Sequence, residues 1–292
     1  MHIHEESEHQ SSKRIGWAFF LNLSFTLIEF IGGILTNSTA IMADAVHDLG
    51  DSISIGIAWV LNKLGEKEAD DIYTYGYQRF TLLGALVNGL VLVIGSVWII
   101  SIAVPKLQNP EMPVVEGMLG LAIFGVLVNG FAAYKLSRGK SLNERILNWH
   151  LLEDVLGWIA VLILSIVLMF VEAPILDPIL SLVFTLFILF NVVKNLVLTI
   201  KTFLQATPDK KVLSEIKNRL VDFNPVESVH HLHFWSLDGE HHVLTGHLVL
   251  SESITVDALH NLRKNIEETL KPYSFKHTTL EFEFDNETCR ES

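Results

Sequence analysis

A single cysteine, Cys289, is all that the chain offers, which excludes a disulfide framework and any zinc finger built from thiolates. Charge is scarce too: 18% of the 292 residues carry one, against about 25% in a typical soluble domain, while 50% are hydrophobic. Basic residues are outnumbered 21 to 33, for a net charge of −12. Such an excess of acid repels phosphate backbones and argues against nucleic acid as a partner. No His-Glu-x-x-His pair occurs, nor any internal repeat or low-complexity tract. Residues 1–14 lack the apolar run and small-residue cleavage site of a signal peptide, so the first hydrophobic segment is expected to stay in the mature protein.

Long hydrophobic runs are what the chain does have. Six are apparent, near Ile15–Leu35, Thr39–Asn62, Phe80–Val104, Val114–Leu136, Arg145–Phe170 and Leu176–Phe203. Each is long enough to cross a hydrocarbon core of about 30 Å as a helix rising about 1.5 Å per residue. Basic residues of the short connections set the orientation. Lys13 and Arg14, then Lys63, Lys67 and Arg79, then Lys135, Arg138, Lys140 and Arg145 fall on one side, and Lys106 alone on the other. Both termini are therefore expected in the cytoplasm, as an even number of spans requires. Beyond Phe203 the composition turns polar and acidic. A helix is expected from about Asp209 to Phe223, then strands Ser228–Leu237 and His242–Leu250 around Asp238-Gly239. A helix Thr255–Leu270 and a strand Lys276–Phe284 complete an αββαβ order. That strand puts Leu280, Phe282 and Phe284 on one face and His277, Thr279, Glu281 and Glu283 on the other. The fold expected is an all-α six-helix transmembrane domain (15–204) behind a short cytoplasmic tail (1–14), with a C-terminal cytoplasmic α+β domain (205–292).

Of the 13 histidines, three lie in the tail (His2, His4, His9), two in the membrane and eight in the C-terminal domain. The membrane pair is the informative one. His47 and Asp51 in span two, and His150 and Asp154 in span five, repeat the pattern His-x-x-x-Asp, and a spacing of four puts both side chains on one helix face. Asp51 lies about 12 residues, or roughly 18 Å, from the outer end of its span, and Asp154 about nine residues, or roughly 14 Å, from the inner end of its own. Two antiparallel helices would bring both pairs to one point near mid-bilayer. A carboxylate there costs about 2.5–3.5 kcal/mol on insertion scales. Two neutral imidazoles and two carboxylates around a divalent cation sum to zero charge, and four N/O ligands suit tetrahedral zinc better than magnesium or calcium. Protons compete for the same atoms and supply a means of release.

These residues resemble the cation diffusion facilitators, zinc and related metal-ion/proton antiporters. Thr36-Asn37-Ser38-Thr39-Ala40 followed by Ala43-Asp44-Ala45 and His-x-x-x-Asp is similar to the family's first-to-second span signature. Tyr75-Gly76-Tyr77-Gln78-Arg79 leading into Leu83-Gly84-Ala85-Leu86-Val87-Asn88 is similar to its second-to-third span signature. The resemblance covers nearly the whole chain. It implies that His47, Asp51, His150 and Asp154 hold the transported ion, and His at the first position resembles zinc- and cadmium-type members. It also implies a metallochaperone-like tail that forms a homodimer and binds regulatory zinc, at positions matching His230, His247, His260, Glu281 and Glu283. His231, His233, His241, His242 and His277 are then surface or interface residues. Tyr73 and Tyr77 stand where some bacterial relatives carry a second loop site, so that site is expected to be missing. The connection between spans four and five is short and carries no His cluster, which resembles bacterial members and implies the inner (cytoplasmic) membrane.

Other polar residues in the spans have simpler readings. Glu29 is expected toward the outer side and hydrated, Asp177 at an interfacial helix start, Lys194 snorkelling, and Asn22, Asn88 and Asn129 bonding between helices. The competing functions are a membrane metalloenzyme, a haem carrier and a zinc sensor that does not transport. An enzyme needs a general base and an open ligand position. Glu153, the nearest acid, is turned about 100° from Asp154 on an ideal helix. Two haems held by paired histidines would need four in the membrane, and there are two.

Overall fold

The computed structural model describes the backbone of residues 2–65, 69–136, 142–251, 254–284, 287 and 289, and the side chains of the same residues except 2–18, 58–59, 61–65, 135–136 and 142–151. Two compact units emerge, residues 1–63 with 87–196 and residues 64–86 with 197–292.

Six long helices follow the six hydrophobic runs: α1 (His2–Thr36), α2 (Thr39–Gly65), α3 (Phe80–Gln108), α4 (Val115–Leu136), α5 (Leu142–Phe170) and α6 (Leu176–Phe203). Among the described residues, five are long and apolar enough to cross a membrane, namely α1, α3, α4, α5 and α6. α2 is not one of them; it carries Asp44, His47, Asp48 and Asp51 within two turns. The first unit exposes many large apolar side chains and buries several polar ones beside its two apolar clusters. Leu21, Leu127 and Phe190 are 65%, 65% and 72% exposed, whereas Thr26, Glu29, Asp44, Asp48, Ser52, Ser96, Asp177 and Ser181 are buried. A protein in water reverses that distribution, and one solvated by lipid tails requires it.

Residues near the α1–α2 junction fix the start of α2. Asn37 takes a left-handed conformation (φ 54°), one that Asn tolerates better than most residues. Lys106 at the end of α3 donates to the Asn37 carbonyl (2.8 Å) and to its side-chain Oδ1 (2.7 Å). Asp177, from the first turn of α6, is buried. Its carboxylate accepts from Ser38 Oγ (2.6 Å), Thr39 N (2.7 Å), Thr39 Oγ1 (2.7 Å) and Ala40 N (3.3 Å). Asp177 starts α6 as expected, but it is buried rather than interfacial and caps the N-terminus of a different helix, where unpaired N–H groups and the helix dipole favour an anion. Glu29 is corrected as well, being 1% exposed rather than hydrated. Asn22 donates to Asp48 O and Ser52 Oγ, and Asn88 to Ser54 Oγ, both between helices as expected. No such bond forms from Asn129 Nδ2 among the described residues. α4 and α5 pack closely, with the Trp158 indole laid over Gly125, where any Cβ would collide with the ring.

In the second unit, α7 (Lys210–Val221), β1 (Val226–Ser236), β2 (His242–Leu250), α8 (Val256–Leu270) and β3 (Phe275–Phe284) realise the αββαβ order. Asp209 and Thr255 cap the two helices through backbone N–H groups. β2 is central, antiparallel to β1 and parallel to β3. Ile216 and Leu220 of α7 and Leu262, Ile266 and Leu270 of α8 form one core with Val229, Phe234, Leu244 and Leu248 of the sheet. Leu280, Phe282 and Phe284 pack against that core, which leaves Glu281 and Glu283 for the opposite face, as their alternation requires.

Residues 64–86, the segment ahead of and into α3, belong to this unit. Asp70 accepts from Ile72 N, Tyr73 N and the Tyr77 hydroxyl, and Tyr73, Tyr77 and Phe80 stack into an aromatic cluster. The phenols are engaged in hydrogen bonding and packing, the roles their chemistry suits. Arg79 donates to the Phe203 carbonyl (2.7 Å) and lies over the Phe203 ring.

Candidate metal centre

α2 and α5 meet through their carboxylates and imidazole. His47 Nε2 lies 3.7 Å from Asp51 Oδ2, one helical turn along α2, and 3.9 Å from Asp154 Oδ1 on α5. One ligand atom from each of the three falls within 4.8 Å of the others. All three are partly buried, with side-chain exposures of 20%, 22% and 11%. His150 is on α5, one turn before Asp154, but its side chain lies outside the described residues.

A cavity of about 190 Å³ opens on this group, lined by Asp44, His47, Glu153, Asp154, Leu156, Gly157, Phe184, Phe187 and Ile188. Two of these residues were not expected there. Asp44 is 8% exposed, and its Oδ2 makes no hydrogen bond among the described residues. It precedes His47 by three positions and so shares its helix face, a spacing that the sequence displayed. Gly157 of α5 faces it, and a Cβ there would stand 3.4 Å from Asp44 Oδ1, an ordinary contact. Glu153, turned away on an ideal helix, still reaches the cavity wall.

A second group of donors lies on the free face of the C-terminal sheet. His230 and His247 are directly paired across β1 and β2, and His247 is paired with Glu281 of β3. His247 Nδ1 is 2.6 Å from Glu283 Oε1, and His230 Nε2 is 3.1 Å from Glu283 Oε2. Burial alone would raise the Glu283 carboxyl. Hydrogen bonds from His247 and Cys289 and the nearby imidazoles of His230 and His247 outweigh it and hold the group below the usual range. Between His230 and His233 the strand bulges, so that His231 and Leu232 together oppose Gly246. His231 adopts φ 47° at this bulge, and its ring comes within 5.4 Å of His247 and 5.1 Å of His230. Gly246 faces the bulge, and a Cβ there would sit 2.7 Å from Leu232 Cδ1, so the Leu232 side chain would have to shift.

Of the five C-terminal positions suggested by resemblance, the structure brings together His230, His247 and Glu283. Glu281 stands at the rim, 45% exposed and 3.9 Å from His247 Nε2. His260 is exposed on α8 and is not part of the group. The fourth member is Cys289, which sequence reasoning missed: its Sγ lies 3.6 Å from His247 Nδ1. Imidazole, carboxylate and thiol are donors that suit zinc, so the residues present fit the metal that the resemblance implies.

Two family models match the chain. That of the cation efflux transmembrane domain covers residues 17–204, and that of the cation efflux protein cytoplasmic domain covers residues 208–283. A cadmium, cobalt and zinc/H(+)-K(+) antiporter of Bacillus subtilis is 31% identical over 287 residues, spanning 96% of this chain and 91% of the relative. The zinc transporter ZitB of Escherichia coli is 30% identical over 97% of this chain and 92% of its own length. The metal cation efflux system protein CzcD of Cupriavidus metallidurans is 28% identical over 91% of this chain and 84% of its own.

Proposed function

The chain belongs to the cation efflux family, and on that premise we propose that it is a zinc/proton antiporter exporting Zn²⁺ from the cytoplasm. The observation that carries this reading is the convergence of His47 and Asp51 from α2 with Asp154 from α5 beside a cavity inside the helical unit. His150, one turn before Asp154, is the fourth ligand in this proposal. Two imidazoles and two carboxylates neutralise a divalent ion, and imidazole nitrogen favours zinc and cadmium over harder ions.

Proton coupling follows from the ligands themselves. Imidazole has an ordinary pKa of about 6.5, within the range where two compartments differ. Facing the cytoplasm, neutral imidazoles and ionised aspartates take up the cation. Facing a more acidic exterior, protons occupy the same nitrogens and the metal leaves. Protonated imidazoles beside Asp51 and Asp154 then keep the emptied site near neutral for its return.

Residues 15–204 form the transport domain in this reading, and residues 205–292 lie in the cytoplasm with the N-terminus, below a bacterial inner membrane. The C-terminal domain dimerises with a second copy and binds zinc through His230, His247 and Glu283. Zinc that joins elements of this sheet favours whichever arrangement brings its ligands together, a shift set by differential affinity. Reconstituted into liposomes, Asp154→Ala is expected to insert and fold yet carry no zinc, because the site is left with an uncompensated positive charge. Near-normal flux by that variant would contradict the proposed site.

A further inference from the structure

Cys289 is the only thiol in the chain. It comes after the end of β3 and after Glu287, whose N donates to the Phe284 carbonyl (2.8 Å) and whose Oε2 accepts from Phe284 N (3.0 Å). Cys289 lies on the histidine-bearing face of the sheet, 3.6 Å from His247 Nδ1. One donor atom each from His230, His247, Glu283 and Cys289 lies within 4.8 Å of the others.

We propose that Cys289 is a metal ligand, completing with His230, His247 and Glu283 a four-donor site held within one chain. The inference rests on the reading of this domain as zinc-binding, and it specifies the site's chemistry. Bonds of about 2.0–2.1 Å to nitrogen and about 2.3 Å to the one sulfur give a tetrahedron with edges of about 3.3–3.6 Å, so the donors are within a small side-chain adjustment of it. Charge favours the fourth ligand. Two neutral imidazoles and one carboxylate leave a divalent ion with one uncancelled positive charge, and a thiolate removes it. That matters because His247 and Glu283 are 8% and 7% exposed. A thiolate also makes the site soft, selecting zinc and cadmium over magnesium, calcium and manganese.

The full-length protein in detergent provides the test, with Asp51→Ala introduced to disable the membrane site and cobalt(II) as the probe. Because the chain holds one cysteine, a sulfur-to-cobalt charge-transfer band in the near ultraviolet has one possible source. The band is expected to saturate at one cobalt per chain, to be bleached by zinc or cadmium, and to vanish in Cys289→Ser. Cobalt bound with the spectrum of nitrogen and oxygen ligands alone would overturn the role of Cys289 while sparing the metal-binding reading of the domain. No cobalt retained at all would overturn both. Alkylation supplies a second measurement on the unaltered chain: zinc should strongly slow modification of Cys289, and equal rates with and without zinc would refute ligation.

Discussion

In the proposed antiporter, His47 is the side chain on which selectivity turns. Its Nε2 faces both Asp51 and Asp154, so the element bonded to the ion at this corner of the site is a borderline nitrogen rather than a hard oxygen. His47→Asp should therefore weaken discrimination against manganese or iron while leaving a site able to bind cations. Competition assays measure this directly, and an unchanged order of preference would show that ligand type at position 47 is not the selector. The pair His47 and Asp51 was legible from spacing alone, since a helix repeats its face every four residues. Asp44 shares that face and was legible by the same rule, yet its burial beside the cavity is set by the packing of neighbouring helices, which spacing does not show. Cys289 had no comparable signal. Nothing in its spacing from β3 shows that it lies beside His247.

α2 is the element on which the membrane site depends, and its position is held from outside its own sequence. The buried Asp177 carboxylate of α6 accepts four hydrogen bonds from Ser38, Thr39 and Ala40. Asp177→Ala strands those donors and should cost about 2–4 kcal/mol of stability. The loss is expected as a lower melting temperature, with faster hydrogen exchange at the Thr39 and Ala40 amides. Unchanged exchange at those two amides would contradict the capping role. Sequence reasoning placed Asp177 at an interface because an Asp-Pro helix start explains itself locally, and a cap supplied across 138 residues leaves no local trace. The β1 bulge escaped detection for a related reason, since alternation predicts strands but not the residue at which two oppose one.

The connection between β1 and β2 carries a pH dependence of its own. Asp238-Gly239 signals a hairpin, and the connection is indeed closed there, with Gly239 at φ 107°. Burial alone would raise the Asp238 carboxyl, but the His241 amide and ring and the Glu240 amide overcome that and hold it below the usual range. A carboxylate depressed in the folded state stabilises it fully above the unfolded pKa of about 3.9, and that contribution is lost as pH falls through the folded value. Protection of the His241 amide should therefore decline on acidification below about pH 4, and Asp238→Ala should remove most of that dependence. A wild-type amide whose protection is insensitive across this range would contradict the assignment.

At the scale of the whole molecule, the organising fact is a helical unit that exposes many large apolar side chains while burying carboxylates and hydroxyls beside its apolar clusters. Hydropathy reveals most of that plan, because helices α1, α3, α4, α5 and α6 announce themselves by length and apolarity. α2 is disguised by the residues that give it a purpose: Asp44, His47, Asp48 and Asp51 lower its apolarity within two turns. The apolar run Thr39–Asn62 around that cluster still marks it as a span of the expected length. Charge neutrality then links the site to its function. Each buried carboxylate near the ion requires a cation, and either Zn²⁺ or protons can supply it. The same groups cannot hold both, which makes exchange of one for the other the expected transport cycle.

That claim is tested most directly by recording proton movement and zinc movement together in sealed proteoliposomes, with Asp51→Ala as the inactive control. The account predicts that a zinc gradient drives protons in the opposite direction, that zinc flux rises when the compartment receiving it is the more acidic and falls when the pH gradient is collapsed, and that Asp51→Ala abolishes both movements together. Zinc flux by the wild-type protein with no counter-movement of protons, and indifferent to the imposed pH gradient, would contradict it.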